Sequence, residues 1–190
     1  MRIDGDFVKG VSYYLGDGRM SAPRSLSTAN QNMEVIKFFI KWLDKYFNIK
    51  LNEIKIKIKT SDPYHNKSRI KRDISKSLGI KKEYIHSVSM KNNSKPHHKL
   101  LIDVWANNAK AKRFFNKIVP VVKNRCINNE KLALEYVKGI MAAEGSPKYD
   151  IKSGSRNIHL KMKDEEEIKY IGNLLNNILK IKSSILRVKT

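Results

Sequence analysis

Two stretches decide the fold: Gly10 to Gly18, GVSYYLGDG, and Val137 to Gly145, VKGIMAAEG. Each reads as the end of a helix. In the first, Ser12 and Gly16 fall four residues apart on one face; in the second, Gly139, Ala142 and Ala143 put small side chains on successive turns. Small faces let two helices approach backbone to backbone, the packing that drives small-residue helix pairs in membranes and that nothing confines to lipid. The spacing therefore predicts that the two stretches dock along each other. Each ends on an acid beside glycine, Asp17 and Glu144. A carboxylate at a helix C-terminus faces the negative end of the macrodipole, at a cost of about 0.3 to 1 kcal/mol, and two brought side by side repel as well. A divalent cation with oxygen ligands, chiefly Mg²⁺, meets the need for positive charge there. Taken singly, Asp17 is an ordinary turn aspartate and Glu144 an exposed helix end; repetition makes the pair a candidate site.

Outward from these stretches the chain repeats itself. FVKG at 7 to 10 is matched by YVKG at 136 to 139. After the first helix, residues 6 to 16, the stretch Arg19 to Ala29 fits a strand or hairpin, and Asn30 or Asn32 caps an amphipathic helix, MEVIKFFIKWLDKYF. The clearest strand follows, Glu53 to Lys59, where Ile54, Ile56 and Ile58 alternate with Lys55, Lys57 and Lys59, so one face is dry and the other cationic. A helix from Ser68 to Leu78 stops at Gly79, a strand pair (Ile85 to Met90 with Leu100 to Trp105) encloses the polar loop KNNSKPHH, and a helix over 108 to 123 closes the first half. From Asn128 the order restarts: the second motif helix, strands around Lys148 to Lys152 and Asn157 to Met162, the helix DEEEIKYIGNLLNNIL and a strand Ile185 to Lys189. The expected organisation is thus two halves, 1–127 and a shorter 128–190, packed together as one monomer.

The charge points to the partner. Against 18 acidic residues stand 39 Lys plus Arg among 190, a formal net charge of +21, which suits a polyanion. No continuous apolar run of about 18 residues is present for a membrane span. The N-terminus MRIDGDFVKG has no basic and then apolar leader pattern, and Cys126 alone cannot make an internal disulfide, so a reducing cytoplasm is the expected compartment. No Cys/His cluster has zinc spacing, and His97 and His98 read as solvated residues of a polar loop.

VKGIMAAEG resembles the LAGLIDADG motif position by position, with Gly139, Ala143, Glu144 and Gly145 at its glycine, alanine, catalytic acid and closing glycine; it departs at Ala142, where the motif has its first aspartate. GVSYYLGDG resembles the variant ending LGDG, with Asp17 at the catalytic position and Ser12 replacing the first glycine. A second register, aligning Val8-Lys9-Gly10 on Val137-Lys138-Gly139, would put Leu15 on the catalytic position; the first keeps an acid there. The run STANQNMEVIKFFIKWLDKYFNI and the order of elements extend the resemblance over most of the chain.

The resemblance implies an α+β fold of two αββαββα homing-endonuclease repeats, whose antiparallel sheets form a saddle over the DNA major groove about a pseudo-twofold axis along the motif helices. It implies a site-specific, double-strand DNA endonuclease. Asp17 and Glu144 would be the catalytic metal ligands, with Gly16 and Ala143 beside them and Lys148 and Asn30 in support. Mg²⁺ would be the cofactor, with Mn²⁺ substituting and Ca²⁺ binding without turnover. The DNA face expected from strand alternation comprises Lys55, Lys57 and Lys59 in the first half and Asn157, His159, Lys161 and Lys163 in the second, extended by Arg19, Arg24 and Lys152. For the lysine strand the bland alternative is a solvated edge that discourages aggregation. A cleavage-inactive DNA- or RNA-binding relative, such as a splicing maturase, is the competing function. A general RNA-binding protein would show stacking aromatics on the sheet, where these strands are lysine-rich. The Ile, Lys and Asn bias and the motif variant fit a microbial, archaeal-type host.

Overall fold

The computed structural model describes residues 2–61, 66–90, 100–149, 151, 154 and 156–185. Along the first part of the chain lie α1 (Gly5–Asp17), β1 (Ser25–Asn30), α2 (Met33–Phe47), β2 (Ile54–Thr60), α3 (Lys67–Leu78), β3 (Ile85–Met90) and β4 (Leu100–Asn107). Then come α4 (Ala109–Ile127), α5 (Glu130–Glu144), β5 (Gly145–Tyr149), β6 (Arg156–Leu160) and α6 (Glu165–Asn173). The protein is mixed α+β. It divides into two compact units, Asp17–Phe114 and Met1–Gly16 with Phe115–Thr190. Both motif helices belong almost wholly to the latter.

In Asp17–Phe114 the sheet order is β1-β4-β2-β3. Ile54, Ile56 and Ile58 pair across β2 and β4 with Ala106, Val104 and Ile102, and all six are buried. That apolar ladder explains why β2 and β4 are central: their alternation gives each a dry face in the same layer. Helix α2 buries Ile36, Phe39, Trp42 and Leu43. Of the two asparagines that could cap it, Asn32 does so, its side chain accepting from the N–H groups of Glu34 and Val35. Helix α3 ends at Gly79, whose φ of 68° is the left-handed cap that glycine adopts without a Cβ penalty.

Two expectations are corrected here. β3 and β4 are not a strand pair, because β2 lies between them, and β2 with β3 is parallel, so the sheet is mixed. The physical reason is the connection: a parallel pair needs a crossover, and α3 supplies it.

In the other unit, α1 buries Phe7, Val8, Gly10, Val11, Ser12, Tyr13 and Tyr14, almost its whole circumference, and Tyr14 meets Phe115 edge-on at 4.8 Å. Its contact with α5 is close. A Cβ on Gly139 would overlap Ser12 Oγ and the Lys9 carbonyl oxygen; one on Gly16 would lie 2.5 Å from Ala143 Cβ and 3.2 Å from Glu144 Cγ; one on Gly5 would lie 3.0 Å from Glu135 Cγ. The contacts step up both helices together, so α1 and α5 run parallel. Their C-terminal turns meet at Gly16 and Ala143. The docking predicted from the small residues is present, although Ala142 faces solvent.

Around α5 a polar cluster is sealed in. Tyr136 O–H donates to Glu167 Oε1 at 2.6 Å, Lys123 Nζ approaches Glu167 Oε2 at 2.5 Å, and Tyr170 O–H donates to the Lys123 carbonyl at 2.9 Å. Burial, and then the neighbouring Glu167, push the Tyr136 phenol far above its usual range; burial raises the Cys126 thiol to about 11, against a smaller downward pull from its hydrogen bond with Tyr170. The cluster ties α4, α5 and α6 together. The expected helix DEEEIKYIGNLLNNIL splits into α6 and a π-helical turn, Leu174–Ile178. β5 and β6 form a two-stranded sheet with no buried face, Ile158 being 65% exposed, so the expected dry face of Arg156, Ile158, Leu160 and Met162 is not realised in the strand. Ile185 is not in a strand; residues 186–189 and the loop of His97 and His98 lie outside the described residues.

Gly139→Val puts three carbons where Ser12 and the Lys9 carbonyl already sit. It is expected to lower the urea-unfolding free energy by about 3 kcal/mol, the upper end for overpacking. Ala142→Ser on the exposed side of the same helix should change it by no more than about 0.5 kcal/mol. Equal midpoints for the two variants would contradict the close pairing.

Candidate active site and nucleic-acid interface

Asp17 is the last residue of α1, directly after the glycine that meets Ala143 and Glu144. The chain then turns into β1: Gly18 bridges Thr28, and the Arg19 N–H donates to the Ser27 carbonyl at 2.9 Å. This return brings β1 side chains onto the helix end. Thr28 Oγ1 donates to the Asp17 carbonyl at 3.3 Å and Asn30 Nδ2 to Asp17 Oδ2 at 2.5 Å, while Asn30 Oδ1 accepts from the Asn32 N–H at 2.9 Å. With both ends of its amide used, Asn30 is a fixed donor to the carboxylate.

Glu144 ends α5 and is half-buried. Gly145 caps the helix, its N–H donating to the Met141 carbonyl, and a Cβ there would run into the Met141 backbone. Both acids sit where four terminal carbonyls lack intrahelical partners, the end that repels anions. Lys148 lies on β5 beyond Glu144. β5 starts at Gly145 itself, so three extended residues, roughly 10 Å, carry Lys148 away, exposed opposite Asn157. Among the described residues no three His, Cys, Asp or Glu side chains converge. A carboxylate oxygen, such as Asp17 and Glu144 each carry, is a hard donor of the kind that Mg²⁺ and Mn²⁺ accept.

The second feature is the sheet face of Asp17–Phe114. Lys55 and Lys57 are exposed and make no ion pair among the described residues; Lys59 is half-buried, 3.4 Å from Asp103 Oδ2. Arg19 reaches the same face, with Nη2 2.8 Å from Asp103 Oδ2 and its guanidinium 4.4 Å from the Trp105 ring. Register explains the grouping, since Lys55 lies opposite Trp105 and Lys57 opposite Asp103. Reading the sequence missed Asp103 and Trp105. The signal was present: in LLIDVWAN the residues Ile102, Val104 and Ala106 alternate with Leu101, Asp103 and Trp105, and the latter set shares the lysine face.

The remaining expected DNA contacts are dispersed. Arg24 is exposed in the turn before β1; Asn157 and His159 are exposed on β6. β6 ends at Leu160, so Lys161 and Lys163 lie past the strand, in the approach to the α6 cap at Asp164. Lys152 lies outside the described residues. Among the described residues no helix is long and apolar enough to cross a membrane.

Comparisons with known proteins identify no relative: no family model, curated protein or solved structure matches this chain.

Proposed function

We propose that the chain is a site-specific double-strand DNA endonuclease of the LAGLIDADG homing type, two αββαββα halves about a pseudo-twofold axis along α1 and α5, acting as a monomer in the cytoplasm of a microbial host. The observation that carries this reading is the backbone-to-backbone parallel pairing of α1 and α5, each closing on an acid in a similar motif. A carboxylate at a helix C-terminus faces the negative end of the macrodipole, and a divalent cation bound there would offset that charge.

Asp17 and Glu144, beside Gly16 and Ala143, are the residues that hold Mg²⁺, an ion commonly bound by one or two carboxylates together with waters and substrate phosphates. Mn²⁺ suits the same oxygen donors, and Ca²⁺ binds them without turnover. Bound there, the metal supplies an activated water and stabilises the departing 3′-oxygen. Asn30 orients the Asp17 carboxylate through its Nδ2 hydrogen bond. Lys55 and Lys57 are flexible point charges and neutralise phosphates on either strand. Each acid serves one strand of the duplex. Net charge of +21 draws the polyanion in and makes binding fall steeply with salt.

The test is cleavage of a randomised duplex library by wild type, Asp17→Asn and Glu144→Gln in Mg²⁺, Mn²⁺ and Ca²⁺. Wild type should make defined double-strand cuts in Mg²⁺ and Mn²⁺ but not in Ca²⁺. Each substitution should lower the rate by at least about 100-fold, on the scale of losing one electrostatic stabiliser. Specific binding with no cutting in either active metal would favour the maturase-like reading, and failure to bind duplex would overturn both.

A further inference from the structure

We infer that Arg19 is a specificity-determining residue that reads a guanine in the major groove, held in position by Asp103 and Trp105; this rests on the duplex-DNA reading above. On the sheet face of Asp17–Phe114, the cations fall into two kinds. Lys55 and Lys57 stand exposed on single flexible stems without ion-pair partners among the described residues. Arg19 is anchored three ways. Its backbone N–H is bonded to Ser27, its Nη2 donates to Asp103 Oδ2 at 2.8 Å, and its guanidinium lies over the Trp105 ring at 4.4 Å.

Asp103 is unusual in this setting. It is the acid among the lysines of that face, its side chain is 3% exposed, and its Oδ1 has no hydrogen-bond partner among the described residues. Burying a carboxylate is costly unless it is paired, and here both Arg19 and Lys59 approach the same Oδ2. An Asp at this point weakens a purely electrostatic phosphate clamp, since it cancels one of its charges. What it supplies is geometry. A guanidinium has five N–H donors in a planar fork, and a fork fixed in one plane is the group that bonds guanine O6 and N7 together. Arg19 keeps 32% of its side chain exposed, enough to present that fork outward. Asp103 and Trp105 are positioning residues; Lys59 shares the anchor.

The experiment is selection of binding sites from a randomised duplex library in Ca²⁺, where cutting does not interfere, with wild type, Arg19→Lys, Asp103→Asn and Lys57→Ala. Arg19→Lys keeps the charge at a half-exposed position and removes the fork, so folding is not at stake. One position in the wild-type site should be guanine, and Arg19→Lys should reduce preference there by about 5- to 150-fold with the rest of the site retained. Asp103→Asn should relax the same position and no other, an outcome that a merely structural role would not produce. Lys57→Ala should weaken all sequences alike and lower the salt slope by about one. Unchanged preference at every position in Arg19→Lys, with wild type still selecting a site, would overturn the assignment while leaving the duplex reading intact. No selected site in wild type would overturn that reading, and the assignment with it.

Discussion

The structure depends on the absence of one side chain, at Gly139. Its missing Cβ lets α5 lie against the Lys9 carbonyl and Ser12, and the same register places Gly16 against Ala143 and Glu144. Close carbonyl-to-Cα approach of this kind is where weak Cα–H hydrogen bonds form between helices, a secondary gain beside the dispersion of dense packing. Two rigid helices in contact over several turns have little freedom to slide. The position of Glu144 beside Gly16 therefore follows from the same packing constraint as the contact at Gly139.

That constraint works against the local electrostatics. A sequence chosen for stability alone would end these helices on Lys or Arg, and the chain has 39 such residues to choose from. Acids stand there instead. At Asp17 the Asn30 amide donates to the carboxylate and offsets part of that cost. On the lysine face a cationic surface is interrupted by a buried Asp103, whose Oδ2 both Arg19 and Lys59 approach.

The parts legible in the sequence were those set by short-range rules. Small residues four apart foretold the α1–α5 contact, alternating Ile and Lys foretold the faces of β2, and Asn32 and Gly79 behave as caps should. Asn30 was singled out by resemblance, and the structure puts its amide on Asp17. What escaped depends on long-range pairing. Nothing local in Ile85–Met90 and Leu100–Asn107 reveals that β2 inserts between them; neighbours in sequence look like a hairpin, and the crossover through α3 carries no signature of its own. Trp105 and Asp103 join the lysines only through the β2–β4 register, which pairs residues nearly fifty positions apart. β6 alternates as a half-buried strand would, yet periodicity cannot tell whether a covering layer exists, and both faces of the β5–β6 pair are exposed.

The most direct measurement of the central claim is Mn²⁺ binding by electron paramagnetic resonance, with the protein held on duplex DNA. Wild type should bind Mn²⁺, Asp17→Asn and Glu144→Gln should each weaken that binding, and the double substitution should abolish it while the protein stays folded and DNA-bound. Undiminished Mn²⁺ binding by the double variant would contradict the account, because the acids at the ends of α1 and α5 would then not be the groups that hold the metal.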